Sequence, residues 1–432
     1  ISTSTYSLIA SLTTSNGAQP FGGFTELSPT NGKLYAVTRV GGANSGGAII
    51  EYSLGSTSYT KTADMSASTG TLSFGNLVES GSKLYGLAAA SGTNSAGTIF
   101  EYDYSTQTVT KKFDFGGTNG SSPNGSLYKA SAGNLYGMTT SGGANSAGVI
   151  FKYTASTSSF STIWSFTSTS GSAPSGNVIQ GSNGNLYGFT RTGGANGNGV
   201  IFEYNISTSS YTNLVNLQSN TTVGGNPFGT LLQASNGKFY GLTNNGGIAG
   251  VGVLFEYDLG TNTYTKKIDL NFALNGGVPH GAPIYASNGK IYGTCVSGGT
   301  SNAGVIYEFN RSSSSYSKVA DFNTTNGSAP YGSLVQASNG KLYGVSSLGG
   351  LNSAGTLYEF DYSTNTLTKK VDLSSTIGSG PLGALINYSG NANKLYGLTK
   401  AGGTSGLGVI FEYDISTATY TKKFDFSGIP GS

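Results

Sequence analysis

Apolar and polar positions along this chain alternate in short runs punctuated by Gly, Ser, Thr and Asn, and no segment keeps helical periodicity over a useful length. Residues 338–364, SNGKLYGVSSLGGLNSAGTLYEFDYST, display the pattern, and close copies of it occur eight times. A hydrophobic–Tyr–Gly step anchors the copies, with tyrosines at Tyr35, Tyr85, Tyr136, Tyr187, Tyr240, Tyr292, Tyr343 and Tyr396, spaced 50 to 53 residues apart. A glycine follows each tyrosine after 12 residues, from Gly47 to Gly408, without variation. The distance from that glycine to the next tyrosine runs from 38 to 41. Length changes therefore fall in loops outside one rigid hairpin.

Each unit reads as four strands. Strand A is GSLVQAS in the opening stretch, and the Asn-Gly of SNGK predicts a two-residue hairpin turn into strand B, KLYGVS. A loop through a Gly-Gly pair leads to strand C, GTLYEF, and DYSTNT turns into strand D, LTKKVDL. Strand C is apolar without clean alternation, as expected when both faces of a sheet are covered. Four strands per unit, repeated eight times, predict an all-β fold: an eight-bladed β-propeller of four antiparallel strands per blade, with residues 1–432 as one domain. Residues 6–12, YSLIASL, resemble a further strand D, although 419–426 already supply one for the last blade. The surplus strand is expected to zip the ring shut against blade 8, or else to link a longer array.

Composition narrows the function classes. Only 9% of residues are charged, 22 Lys+Arg against 19 Asp+Glu, which is no footprint for nucleic acid. With 28 Tyr and 21 Phe the chain has ample apolar area for a core despite 69 Gly. No apolar run is long enough to insert in a membrane as a helix. The single cysteine, Cys295, forbids an internal disulfide, and the Ile-Ser-Thr start reads as a processed or excised segment.

The stretches NGNLYGFTRTGGANGNGVIFEYN (183–205) and GKLYGLTKAGG…GVIFEYD resemble the Gloeo/Verruco (GloVer) tandem repeat over essentially the whole chain. That resemblance rests on the Tyr-Gly step, the Gly-Gly pair, the G-V-I-F strand and the Pro-x-Gly step. It implies a secreted or cell-surface bacterial protein, extracellular in location, and no established activity. Kelch repeats fit second best, but copper chemistry of the galactose-oxidase kind needs two histidines and only His280 is present.

Most charges have a repeat position. Strand C carries Glu51, Glu101, Glu203, Glu256, Glu308, Glu359 and Glu412, while strand D carries lysines such as Lys111 and Lys112. Cross-strand ion pairs are expected, exposed and worth at most about 1 kcal/mol each. Six aspartates end strand D, and Asp103, Asp258, Asp361 and Asp414 begin the C–D turn, where a carboxylate caps backbone N–H groups. No Asp-x-Asp-x-Asp loop is visible, so neither a metal nor a cofactor is called for.

Variable positions mark candidate sites. Inside the Pro-x-Gly step, whose proline blade 2 replaces with Ser73, the middle residue runs Phe21, Phe74, Asn124, Ser175, Phe228, His280, Tyr331 and Leu382. Just after strand B come Arg39, Arg191, Asn244 and Lys400. Aromatic plates beside cationic and hydrogen-bonding groups on one loop face suit a glycan or a protein ligand. A second column in strand A, comprising Glu26, Glu79, Lys129, Gln180, Gln233, Tyr285, Gln336 and Asn387, is expected to line a wet axial channel. Glu26 and Glu79, on neighbouring blades, could serve as acid and base in glycoside cleavage. Pairing through the Asn288-Gly289 turn sets Cys295 opposite Ala282, with His280 diagonal to it; a small buried residue explains Cys295 better than a nucleophile. The leading expectation is a non-enzymatic, secreted or surface-displayed propeller of adhesion type that binds through its loop face. A carbohydrate-active hydrolase or lyase using Glu26 and Glu79, and a spacer within a larger surface assembly, are the alternatives.

Overall fold

A computed structural model describes residues 17–425, apart from 28–31 and 57. Eight antiparallel sheets, each running A-B-C-D in sequence order, make an eight-bladed propeller. In blade 4 the strands are Ser172–Gln180, Leu186–Thr192, Val200–Asn205 and Ser210–Asn216. One single-turn 3₁₀ helix, Gly117–Asn119, interrupts the all-β pattern among the described residues. The surplus strand expected at 6–12 lies outside the described residues.

Strand A does not pair continuously. In blades 4 and 5 its register against strand B breaks between Ser175 and Ile179 and between Phe228 and Leu232. In blade 6 it falls into two pieces, Gly277–Pro279 and Ile284–Tyr285. The break sits at the Pro-x-Gly step, where proline offers no ladder donor and the extra residues bulge off the sheet.

The A–B turn differs from expectation. In blade 6, Ala286 N donates to Lys290 O and Gly289 N to Ala286 O, enclosing three residues rather than two. Glycine in the left-handed region (Gly289, φ +81°) closes such a three-residue loop. Among the described residues only blade 2 makes a two-residue A–B turn, Gly81-Ser82 with both φ values near +60°, and it has no Asn-Gly. The longer turn and the bulge together place Cys295 opposite Pro279, not Ala282.

The core lies between blades. Each of eight buried clusters joins strands B and C of one blade to those of the next. The seam is one of them: Phe24, Leu34 and Tyr52 of blade 1 pack on Tyr396, Leu398 and Phe424 of blade 8. Strand C is accordingly buried on both faces; in blade 2 every residue of Thr98–Asp103 but the last is buried.

The glycine of the Tyr-Gly step has a packing cause. Across strands B and C, Gly86 pairs with Phe100, Gly188 with Phe202 and Gly344 with Tyr358, and the aromatic ring lies over the glycine. A Cβ at Gly188 would stand 2.7 Å from the Phe202 ring, and one at Gly344 would stand 2.4 Å from the Tyr358 hydroxyl. Blade 1 exchanges both members together, with Ala36 opposite Ile50.

Six of the seven strand C glutamates are buried rather than exposed, and Glu203 is half-buried. In blade 2 the Tyr85 hydroxyl donates to Glu101 Oε2 at 2.5 Å, Lys83 from strand B pairs with Oε1 at 2.9 Å, and Lys112 approaches at 3.5 Å. Burial pushes the Glu101 carboxyl up, but the Tyr85 hydrogen bond and the two lysines outweigh it and leave it below its ordinary value. The other strand D lysine, Lys111, instead pairs with Asp114, whose Oδ1 accepts from Thr93 N and so pins the B–C loop. Blade 4 replaces this lysine–aspartate pair with Asn213 and Asn216 and keeps the loop contact through Ala195 N.

Candidate functional site

The Pro-x-Gly step builds the hub. Its glycines face one another around the axis: a Cβ at Gly75 would lie 2.1 Å from Gly125 O, one at Gly176 1.7 Å from Gly229 O, and one at Gly332 2.6 Å from Gly383 O. The series returns on itself, with Gly383 at 3.4 Å from Gly22 O on the same measure. Only a residue without a side chain lets eight inner strands meet this closely. The following residues lace the hub: Gly23 N donates to Asn76, Asn76 N to Ser126 and Ser126 N to Asn177. An axial cavity of about 490 Å³ is bounded by these residues, Phe21, Phe74 and Ile386.

Hub geometry forces the residue between proline and glycine onto the loop face, where two aromatic arcs result. Phe21 and Phe74 meet edge to face at 5.6 Å, and the Arg39 guanidinium sits 5.3 and 5.1 Å from their ring centres. Phe228 lies 4.3 Å from His280, which lies 4.9 Å from Tyr331. Burial pushes the His280 imidazole below its ordinary pKa, which favours the neutral ring among these aromatics.

Between the arcs opens a hollow of about 670 Å³ lined by Phe21, His280, Tyr331, Leu348, Leu382 and Lys400. A neighbouring hollow of about 470 Å³ brings Asn124 and Arg191 to Phe228. The structure therefore gathers Phe21, His280, Tyr331 and Lys400 in one place and Arg191 with Phe228 in another. Phe74 and Arg39 stand beside the first, Phe74 edge to face with Phe21 and the Arg39 guanidinium near both rings. Asn244 lines neither hollow, and its buried Oδ1 lacks a hydrogen-bond partner. Leu382 belongs to the variable column read from the sequence, whereas Leu348 was missed by residue-type reasoning, which sought rings and cations; its exposure, 55%, is unusual for leucine and invisible in sequence.

The strand A column sits toward the opposite face, at the A–B turns, and staples blades together. Gln180 Oε1 accepts from Ser131 N, Gln233 from Ser182 N and Gln336 from Ser287 N, each at 2.9 Å. Asn387 Nδ2 reaches Gln336 O at 3.4 Å, and the Tyr285 hydroxyl accepts from Ser235 Oγ at 3.1 Å. Glu26 closes the series across the seam, accepting from Ser389 N at 3.1 Å and Ser389 Oγ at 2.6 Å. Lys129 is exposed, and Glu79 lies on the inner strand after that of Glu26. Six of these eight side chains thus reach a neighbouring blade, and the axial cavity described above is bounded by other residues.

Cys295 is fully buried beneath Gly276, and burial pushes its thiol up to about 12. The described residues contain no group of three His, Cys, Asp or Glu side chains placed to hold a metal. Among the described residues no helix is long and apolar enough to cross a membrane.

A closed wheel of eight near-identical sheets, with uniform spokes and variable letters at the loop face, defines a tandem-repeat β-propeller. The family model of the Gloeobacter/Verrucomicrobia repeat matches residues 1–181, 160–338 and 320–432, and the chain belongs to that family. No curated protein matches the sequence. Similar solved structures include the extracellular domain of a putative one-component system from B. thetaiotaomicron, 13% identical over 95% of this chain and 54% of that one, TM-score 0.39. A putative 6-phosphogluconolactonase from Bacteroides fragilis is 15% identical over 83% and 99%, TM-score 0.49. The GH74 enzyme of Niastella koreensis is 15% identical over 95% and 72%, TM-score 0.43. The chain spans about half the length of the first of these.

Proposed function

We propose that this propeller is a secreted or surface-displayed binding protein that captures a glycan through its loop face without chemistry of its own. One observation carries the reading: Phe21, His280, Tyr331 and Lys400, from four different blades, converge on a single open hollow of about 670 Å³. Aromatic faces and edges supply apolar contact to a sugar ring, and a lysine at the rim adds a hydrogen-bond donor. The volume falls within the range of about 300–1,000 Å³ usual for ligand sites. A glycan array tests it directly: Phe21→Ala, Phe228→Ala and Tyr331→Ala combined should abolish the strongest signals of the parent protein. An unchanged array profile would refute the assignment.

A further inference from the structure

The outermost contact between neighbouring blades, on the face opposite the loops, depends on one residue at the C–D turn. That position is Leu54, Tyr104, Ala155, Ile206, Leu259, Arg311, Tyr362 and Ile415 in blades 1 to 8. The side chain reaches back over the preceding blade. The Tyr104 ring lies 6.0 Å from Tyr35, and the Tyr362 ring stacks on Tyr292 at 5.6 Å. Leu54, Ile206, Leu259 and Ile415 pack against the cluster they share with the blade before them. Arg311 lies over Tyr285 at 4.4 Å and reaches Ser235 of blade 5. Seven blades thus fill the groove with a long or bulky group; blade 3 offers only a methyl, at Ala155.

Two further truncations fall at the same groove. The A–B turn asparagine covers the Tyr-Gly hydroxyl in later blades, as when Asn288 donates to Tyr292 at 2.8 Å and Asn339 to Tyr343 at 2.9 Å. Blade 2 has shortened this turn and carries Gly81 there, and blade 3 carries Ala132. Gly81, Ala132 and Ala155 together border a cleft of about 450 Å³ between blades 2 and 3. Its polar lining includes Lys83, Glu101 and Lys112 on one wall and Asn134, Ser156 and Ser158 on the other. The charges are settled internally, because Lys83 contacts both Glu101 and Asp103 while Lys112 contacts Glu101. Paired charges leave no net field to attract an ion, yet they present fixed donors and acceptors beside hydroxyls and an amide.

We infer that the blade 2–blade 3 groove is a second binding site, which takes one neutral sugar ring in the space that the C–D turn side chain fills elsewhere. It is separate from the loop-face hollow and does not depend on it. Saturation-transfer NMR with glucose, galactose, mannose, cellobiose and lactose provides the test. At least one of these should receive saturation from the parent protein. The signal should vanish in Ala155→Tyr, which restores the residue present in blades 2 and 7, and in Ala155→Leu, which copies blades 1 and 5. It should persist when Phe21, Phe228 and Tyr331 are all alanine. Absence of transfer to all five sugars, or transfer that survives both filling variants, would overturn the inference. Loss in the loop-face variant with retention in Ala155→Tyr would assign the sugar to the loop face instead.

Discussion

Gly86 and Phe100 face each other across strands B and C of blade 2, and the ring lies so close that a Cβ on Gly86 would stand 2.3 Å from its Cζ. Gly86→Ala should therefore cost about 1–3 kcal/mol, the usual range for overpacking a full core. Blade 1 holds the remedy, Ala36 opposite Ile50. Gly86→Ala with Phe100→Ile should recover stability relative to the first change alone, as urea unfolding monitored by circular dichroism would measure. A double variant weaker than Gly86→Ala would mean that the pair does not pack as a unit.

Acid should loosen the wheel through the strand C carboxylates. Glu101, Glu256 and Glu359 each have a folded-state pKa below the ordinary value; burial opposes this shift, and the bond from the adjacent tyrosine and the lysines overcome it. A depressed folded pKa gives stability that is present above the unfolded value of about 4.3 and disappears as pH falls through the folded value. Thermal melting from pH 7 to pH 3 should show constant stability until about pH 5 and a decline below it. Glu101→Gln, which leaves Lys83 and Lys112 without their shared partner, should cost about 1–3 kcal/mol at pH 7 and flatten that decline.

Much of this was legible in the chain because a repeat exposes its own rules. The invariant interval from tyrosine to glycine fixed strands B and C, and the aromatic column at Phe21, Phe228 and Tyr331 marked the loop face. Turn length was not legible, since Asn-Gly serves both two- and three-residue loops and only hydrogen bonding distinguishes them. That extra turn residue, together with the strand A bulge, moved the partner of Cys295 from Ala282 to Pro279. The glutamate partners were half seen: strand D supplies Lys112, but the closer lysine, Lys83, and the tyrosine come from strand B on the other side. Where the Gln180 and Glu26 columns send their side chains depends on neighbouring blades about 50 residues away or, at the seam, 363 residues away, beyond any local pattern.

Cys295 should behave as an inert core residue. Its complete burial and raised pKa predict no reaction with a thiol reagent at pH 8 in the native state and full reaction in denaturant. Labelling of the native protein within minutes would place the thiol elsewhere than beneath Gly276.

Closure of the ring is the claim on which the loop-face hollow rests, because Phe21 of blade 1 meets Lys400 of blade 8 there, and spin-label distances test it most directly. Ser56, Thr106 and Thr417 occupy the same exposed turn position in blades 1, 2 and 8. With Cys295 replaced by Ser, labels at Ser56→Cys and Thr417→Cys should give the same pulsed-EPR distance distribution as labels at Ser56→Cys and Thr106→Cys, because each pair spans one blade interface. A seam distance several times the neighbour distance would mean an open solenoid and contradict the wheel.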